Sequence, residues 1–261
     1  MFGIGRSANA VAKLRRVIGW PPYHELDIPM DAIEPIVRST GAEPWFVWAI
    51  QNRRTRGESN SAMDWIVKHI PKDSLIFEVG CGCGANLIWL AEHGFHNLVG
   101  TDRSASAIAA AKQLANLAKQ TISFDVANGF LPSEHLTGSA KINVLLAINC
   151  IYYAPIDMVE YLKGCRDQLT SDGAVIFDMI DRSYDYMPNN QYLEDDWRLP
   201  EAKRRPTQYV VRMSPDEMRD KATMAGFVTL NQLPGTKLPP RYVTVLRLRA
   251  SRSAPPLRLI N

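Results

Sequence analysis

The sequence predicts a doubly wound α/β fold: a seven-stranded, mostly parallel sheet with an antiparallel last strand, preceded by an N-terminal helical lid. Three observations predict it. From Leu75 onward, short apolar runs alternate with helix-forming stretches. Crossovers of that kind build a parallel sheet with helices on both faces. A glycine-rich turn stands between the first apolar run and the helix after it. The last two apolar runs are joined by a Pro/Gly-rich segment and no helix, which reads as a hairpin extending the sheet.

The elements follow in order. Residues 1–20 read as a short basic helix, with Ala10, Val11, Leu14, Val17 and Ile18 on one side and Lys13, Arg15 and Arg16 interleaved. Pro21-Pro22 ends it. Residues 25–57 give short helices and a basic loop, Arg53 to Gly57, followed by a helix capped at Ser59, Asn60 or Ser61 and stopped before Pro71. Leu75–Val79 is a buried strand, Asn86–His93 a helix, and Asn97–Thr101 the second strand. Ser104 caps an Ala-rich helix reaching Lys119. Strands follow at Ile122–Val126 and Ile142–Ile148, then a helix over Ile156–Leu169. The turn Thr170–Gly173 leads into the fifth strand, Ala174–Ile180. Ser214-Pro215-Asp216-Glu217 opens a further helix with capping-box spacing. Phe227–Leu233 and Tyr242–Leu248 complete the sheet. The expected organisation is a lid over 1–70, a catalytic domain over 71–250 with an insertion at 182–212, and a basic tail at 251–261.

Composition excludes other classes. With 46% hydrophobic and 22% charged residues, the chain is neither disordered nor fibrous. Four cysteines in 261 residues are no disulfide framework, so free thiols are expected. No signal peptide is visible. The longest uncharged apolar stretch, residues 142–156, is short of the roughly 18–20 residues needed to span a bilayer. A cytoplasmic location without integral membrane association is expected. The net charge is only +3, but both ends are basic and free of acids. A peripheral membrane contact through the N-terminus and a homodimer stay open.

The sharpest motif is Glu78-Val79-Gly80-Cys81-Gly82-Cys83-Gly84, directly after a strand and before a helix. Glycines at alternate positions permit a tight turn and close approach of a ligand to the backbone. The following helix N-terminus offers free N–H groups. The spacing fits neither a P-loop nor the dinucleotide fingerprint. Asp102 ends the second strand, where a carboxylate can accept from a ribose diol. Asp125-Val126 ends the third strand, where an exocyclic adenine amine could donate, and Asn149 follows the fourth. All would gather at the carboxyl edge of one parallel sheet, where such folds bind ligands.

On these residues, the stretch from Ser74 to Leu248 resembles the class I S-adenosylmethionine-dependent methyltransferases. The family's acid-x-Gly-x-Gly-x-Gly motif matches Glu78 to Gly84, its ribose-binding acid Asp102, and its adenine-contacting acid Asp125. Its turn before the fifth strand matches Leu169–Gly173 in altered form, and its final hairpin matches Phe227–Leu248. The resemblance implies S-adenosylmethionine as donor, bound by Glu78, Gly80, Cys81, Gly82, Gly84, Asp102, Arg103, Asp125, Val126 and Asn149. The histidine that many relatives carry after the fourth strand is replaced by Asn149-Cys150-Ile151-Tyr152-Tyr153. Asn149 stands where the metal-dependent branch has Asp, so no metal is expected. The prolines of base-methylating enzymes are missing as well.

Methyl transfer from a sulfonium chiefly needs alignment of nucleophile, methyl carbon and sulfur. A base is required only for a poor nucleophile. Candidate proton acceptors are Tyr153, Asp178, Asp181 and His24. An acceptor site would be built from the aromatic-rich flanks, including Trp20, Tyr23, Trp45, Phe46, Trp48, Tyr184, Tyr186, Tyr192, Trp197 and Tyr209. Arg53, Arg54 and Arg56 could neutralise an anionic group on the acceptor. The leading expectation is methyl transfer to O or N of a small molecule, such as a secondary metabolite or sugar-like acceptor. The alternatives are an RNA or protein acceptor, or a silent binding module. Nucleic acid is disfavoured because no RNA-binding appendage is visible.

Overall fold

The computed structural model describes residues 24–132, 140–186, 200–203, 209–237 and 239–249. The helix predicted over 1–20, the tail 251–261 and much of the insertion 182–212 lie outside the described residues. Trp20, Tyr23, Tyr192 and Trp197 lie outside them too.

Seven strands form one sheet: β1 (Leu75–Val79), β2 (Asn97–Asp102), β3 (Ser123–Val126), β4 (Ile142–Ala147), β5 (Leu169–Ile180), β6 (Phe227–Lys237) and β7 (Pro240–Leu248). Their order across the sheet is β3-β2-β1-β4-β5-β7-β6. The pairs among β1 to β5 are parallel, while β7 runs antiparallel to both β5 and β6. The chain reverses between β1 and β4, so the carboxyl ends of β1, β2 and β4 meet where a crevice opens in such sheets.

Among the described residues, three α-helices precede the sheet: α1 (Met30–Thr40), α2 (Trp45–Gln51) and α3 (Gly57–His69). Between and after the strands come α4 (Ala85–Glu92), α5 (Ala105–Leu117), α6 (Met158–Gln168) and α7 (Pro215–Met224). Strand periodicity sorts the core into two layers. Ile76, Val144, Leu146, Ala174 and Ile176 join residues of α1, α3, α4 and α5 on one face. Phe77, Val79, Leu145, Val175 and Phe177 join those of α6 and α7 on the other. Ile33, Val37, Ala62, Met63 and Ile66 of α1 and α3 therefore share one core with the sheet. Trp65 Nε1 also donates to Asn231 Oδ1 at 3.0 Å, tying α3 to β6.

Sequence signals set most element ends. Ser104 Oγ accepts from Ala107 N at the start of α5, and the Ser214–Glu217 capping box is present at α7. Two expectations need correction. α3 begins at Gly57, with Arg56 at its cap position and no side-chain cap. Ser59 is buried in its first turn instead of capping it. The predicted turn Thr170–Gly173 is absorbed into β5 as a bulge: Ile142 pairs with Leu169, but Val144 already pairs with Ala174.

Candidate active site

Local chain reversal at the end of β1 starts the site. Gly80 and Gly82 both adopt left-handed backbone, at φ +68° and +53°, a region costly for residues with a Cβ. Cys81 N donates to Thr101 O at 2.9 Å, fastening the turn to β2. A Cβ on Gly80 would stand 2.6 Å from the Cys150 Cβ. A Cβ on Gly82 would stand 2.5 Å from the Phe46 ring of α2. The need for glycine at 82 was expected to come from ligand approach. In this structure it comes from the backbone angle and from the Phe46 ring of α2.

Asp102 holds the second strand end against this turn. Its Oδ2 accepts from Gly82 N and its Oδ1 from Ser104 N, both at 2.9 Å. Its neighbour across the ladder is Val126, and Asp125 stands beside Thr101. Asp125 Oδ1 accepts from Val126 N at 2.8 Å, shaping the exit from β3. Val126 and Arg103 are exposed.

Glu78 lies on the same face as Ile76, the face covered by α3 and α4. It is buried, and Asn86 Nδ2 of α4 donates to its Oε1 at 2.6 Å. Asn86 Oδ1 in turn accepts from Arg53 Nη1 at 2.7 Å. Arg53 is fully buried, with its guanidinium 5.7 Å from the Trp89 ring. Desolvation pushes Glu78 up to about 8, although Asn86 and Arg53 oppose the shift. Desolvation, with help from Arg56, draws Arg53 down to about 10, so it stays cationic at neutral pH. Glu78 Oε2 and Arg53 Nε and Nη2 have no hydrogen-bond partner among the described residues.

A second polar cluster stands beside the first, at the ends of β4 and β5. Asp178 shares the face of Ala174 and Ile176. It is completely buried, and its Oδ1 accepts from Asn149 N at 2.7 Å. Asn149 takes left-handed backbone at φ +60°, a region that asparagine enters more readily than other non-glycine residues. Asn149 Nδ2 donates to Glu58 Oε1 of α3 at 3.1 Å. Asn149 Oδ1 accepts from Tyr152 Oη at 2.9 Å and from Arg241 Nη1. Arg56 closes on Glu58 at 3.2 Å. Desolvation lifts Asp178 to about 6, with Arg241 pulling the other way. For Glu58 the cations Arg56 and Arg241 outweigh burial and hold the carboxyl below its ordinary value.

Comparison with known proteins bears on this geometry. Residues 77–175 match the family model described as a methyltransferase domain. Residues 77–175 are thus similar to a methyltransferase domain. The mouse protein EEF1A lysine methyltransferase 2 is 36% identical over 98 residues, 37% of each chain. Protein arginine N-methyltransferase 1 of Saccharomyces cerevisiae is 30% identical over 111 residues, 42% of this chain and 31% of its own. The match thus spans about a third of these relatives' length. Among solved structures, magnesium protoporphyrin IX methyltransferase of Synechocystis PCC 6803 with bound SAH superposes with a TM-score of 0.58. It shares 15% identity and the match covers 82% of this chain and 94% of that one. The CcbJ methyltransferase of Streptomyces caelestis gives 0.56 at 14% identity, over 74% and 90%. These two share the fold.

The residues of the site fit an S-adenosylmethionine donor. A zwitterionic amino-acid end needs an acid and a base, and Glu78 Oε2 and the free Arg53 N–H groups leave one of each unused beside the glycine turn. Asp102 presents a carboxylate at the turn, and Asp125 borders the next strand end. Asn149, expected with the donor set, has both amide atoms engaged by Glu58, Tyr152 and Arg241 instead. Arg53, expected in a basic loop that could neutralise an anionic group on the acceptor, is buried; Arg54 remains exposed and faces Glu25 at 3.6 Å.

The proton-acceptor candidates divide. Asp178 and Tyr153 belong to the second cluster. Burial, then Tyr209, pushes Tyr153 up to about 12, so its phenol keeps its proton and is no base at neutral pH. Asp181 Oδ1 accepts from Ser183 N at 2.8 Å as a turn former. His24 stacks on Trp89 at 5.1 Å and lies 3.1 Å from Asp64, bracing α3 against α4. All four cysteines are free, and Cys81 and Cys83 are buried. Among the described residues no His, Cys, Asp and Glu group could hold a metal, and no helix is long and apolar enough to cross a membrane.

Sequence reasoning missed Glu58, Asn86, Tyr152 and Arg241. Asn86 is a polar residue next to an apolar run, but Glu58 sits in a polar stretch where nothing local marks it for burial.

Proposed function

We propose that the protein transfers the methyl group of S-adenosylmethionine to a nitrogen or oxygen of an acceptor at the Asp178–Tyr153 end of the sheet. One observation carries this reading. The glycine turn, Glu78 with its unused oxygen, Asp102 and Asp125 converge on one carboxyl edge, next to a second polar cluster. The donor, when bound, supplies an activated methyl for in-line displacement. Arg53 and Glu78 hold its charged end, Asp102 takes the ribose, and Asp125 borders the adenine. Phe46 and α2 cover the turn and exclude water, which strengthens each polar contact there. Asp178 stands ready to take a proton from the acceptor.

The acceptor class is left open by this geometry. A small molecule is the first reading, since aromatic rings line the rim. A protein side chain is the second, favoured by the two protein N-methyltransferases among the relatives. The test is calorimetry with S-adenosylmethionine followed by transfer of labelled methyl to a small-molecule panel and to protein substrates. Micromolar donor binding with transfer to one class supports the reading. Absence of donor binding overturns it.

A further inference from the structure

The second cluster contains more acceptor capacity than its own partners use. Glu58 and Asp178 each spend one oxygen on Asn149: Glu58 Oε1 on the side-chain amide and Asp178 Oδ1 on the backbone N–H. Their second oxygens, Glu58 Oε2 and Asp178 Oδ2, are buried and accept no hydrogen bond among the described residues. Both side chains are nearly inaccessible, at 2% and 0% relative exposure. Arg241 Nη1 stands 3.9 Å from Glu58 Oε1 and 3.7 Å from Asp178 Oδ2, so the two carboxylates share a cationic neighbour. Unused buried oxygens on two carboxylates cost several kcal/mol unless something donates to them.

The surroundings are aromatic. Tyr153 and Tyr209 rings lie 5.8 Å apart, Tyr152 packs between them and the core, and Tyr153 is 42% exposed. Tyr153, 4.8 Å from the buried Tyr152 ring, thus carries the aromatic side of the cluster to the surface, while Glu58 and Asp178 themselves stay buried. The Arg241 guanidinium already lies 5.3 Å from the Tyr152 ring and 5.5 Å from the Tyr209 ring. These rings thus stabilise a cation next to the carboxylates. The turn carrying Asn149 and Cys150 abuts Gly80, and Cys150 Sγ lies 3.4 Å from Val79 O. The cluster borders the glycine turn directly.

We propose that Glu58 Oε2 and Asp178 Oδ2 form the binding site for a primary amine, the nitrogen to be methylated, with Tyr153 and Tyr209 as its rim. The inference rests on the methyl-transfer reading and names the acceptor of that same site. A hydroxyl has one proton and satisfies one of the two oxygens, whereas an ammonium carries three N–H donors and satisfies both. One of its protons passes to Asp178 Oδ2, exposing the nitrogen lone pair. When the nitrogen later gains its fourth bond it is positive again, and the Glu58 carboxylate, still ionised, stabilises that charge while Asp178 holds the proton it took. Arg56 pairs with Glu58 Oε1, and Arg241 Nη1 stands 3.7 Å from Asp178 Oδ2 itself; the two cations offset the charge on the pair, which keeps both acids ionised in a buried site.

The experiment compares n-butylamine with n-butanol, titrated at pH 7.5 into the full chain saturated with S-adenosylhomocysteine and followed by saturation-transfer NMR. The amine should bind at least tenfold tighter than the alcohol. Asp178→Asn and Glu58→Gln, each checked for folding by circular dichroism, should each bring the two affinities within about threefold. Equal affinities in the parent chain, tighter alcohol binding, binding of neither compound, or a preference surviving both substitutions would each overturn the proposal. Calorimetry with S-adenosylhomocysteine separates the two levels. If it binds and the amine does not, the amine site alone is wrong. If it fails to bind, the donor reading is wrong, and the same titration on the ligand-free chain still decides the amine site.

Discussion

Asn86 connects Glu78 to Arg53: its Nδ2 donates to the carboxylate at 2.6 Å and its Oδ1 accepts from the guanidinium at 2.7 Å. The link joins the first residue of the glycine motif to a cation from the turn Arg53–Thr55, between α2 and α3. It also makes stability depend on pH. The Glu78 carboxyl, ordinarily near 4.5, is pushed up to about 8 by burial. Below its ordinary value, folded and unfolded states both carry the proton. Between there and about 8 only the folded state keeps it, so rising pH favours unfolding; above that range the loss is complete. Glu78→Gln keeps an acceptor for Asn86 and removes the titration. Its melting temperature should exceed the parent's by more at pH 8 than at pH 5. Parallel Tm curves would show that Glu78 does not titrate in this range.

Asp102 also has two jobs. A hydrogen bond to a charged group contributes about 1.5–3 kcal/mol, so Asp102→Ala should weaken donor affinity by that order. The carboxylate also accepts from Gly82 N and Ser104 N. The alanine variant should therefore lose melting temperature as well, even without donor. Calorimetry and thermal unfolding on the same sample check both. Full affinity with a lowered Tm would leave Asp102 a purely structural residue.

The contact between Gly82 and Phe46 separates backbone strain from crowding. Gly82→Ala should destabilise the fold by about 1–2 kcal/mol through its positive φ alone. A further loss should come from a Cβ placed 2.5 Å from the Phe46 ring. Phe46→Ala in the same chain should restore the crowding part and leave the strain part. A double-mutant cycle by urea unfolding reads the difference as a coupling energy. Strict additivity would mean that α2 yields freely at this contact.

The parts of the site that were legible in the sequence are those whose geometry is local. β1, the glycine turn and α4 are continuous in the chain, and Asp102 ends the next strand, so spacing alone placed Glu78, Gly80, Gly82 and Asp102. The sheet was legible for the same reason, since each strand and crossover carries its own pattern. Arg53 was not, because a run of three basic residues in a loop is ordinarily solvated, and only packing against Trp89 and Asn86 buries it. Glu58 and Arg241 meet across 183 positions of chain, and no local pattern encodes that meeting. Asn149 was found by position and misread in role, since its partners come from α3 and β7.

Asp178 provides the last prediction. Burial raises it to about 6, and Arg241 limits the rise. An acid must be ionised to accept a proton, so the proportion able to do so grows as pH climbs through that value. Methyl transfer at saturating donor should therefore rise about tenfold per pH unit below about 6 and level off above it. Asp178→Asn keeps an oxygen for the Asn149 N–H, so the turn should remain in place. The variant should be slower at every pH above 6, and its acid limb should be absent. The comparison also separates two explanations of a slow variant. A structural effect would lower the whole profile and keep its shape, whereas loss of the proton acceptor removes the inflection itself.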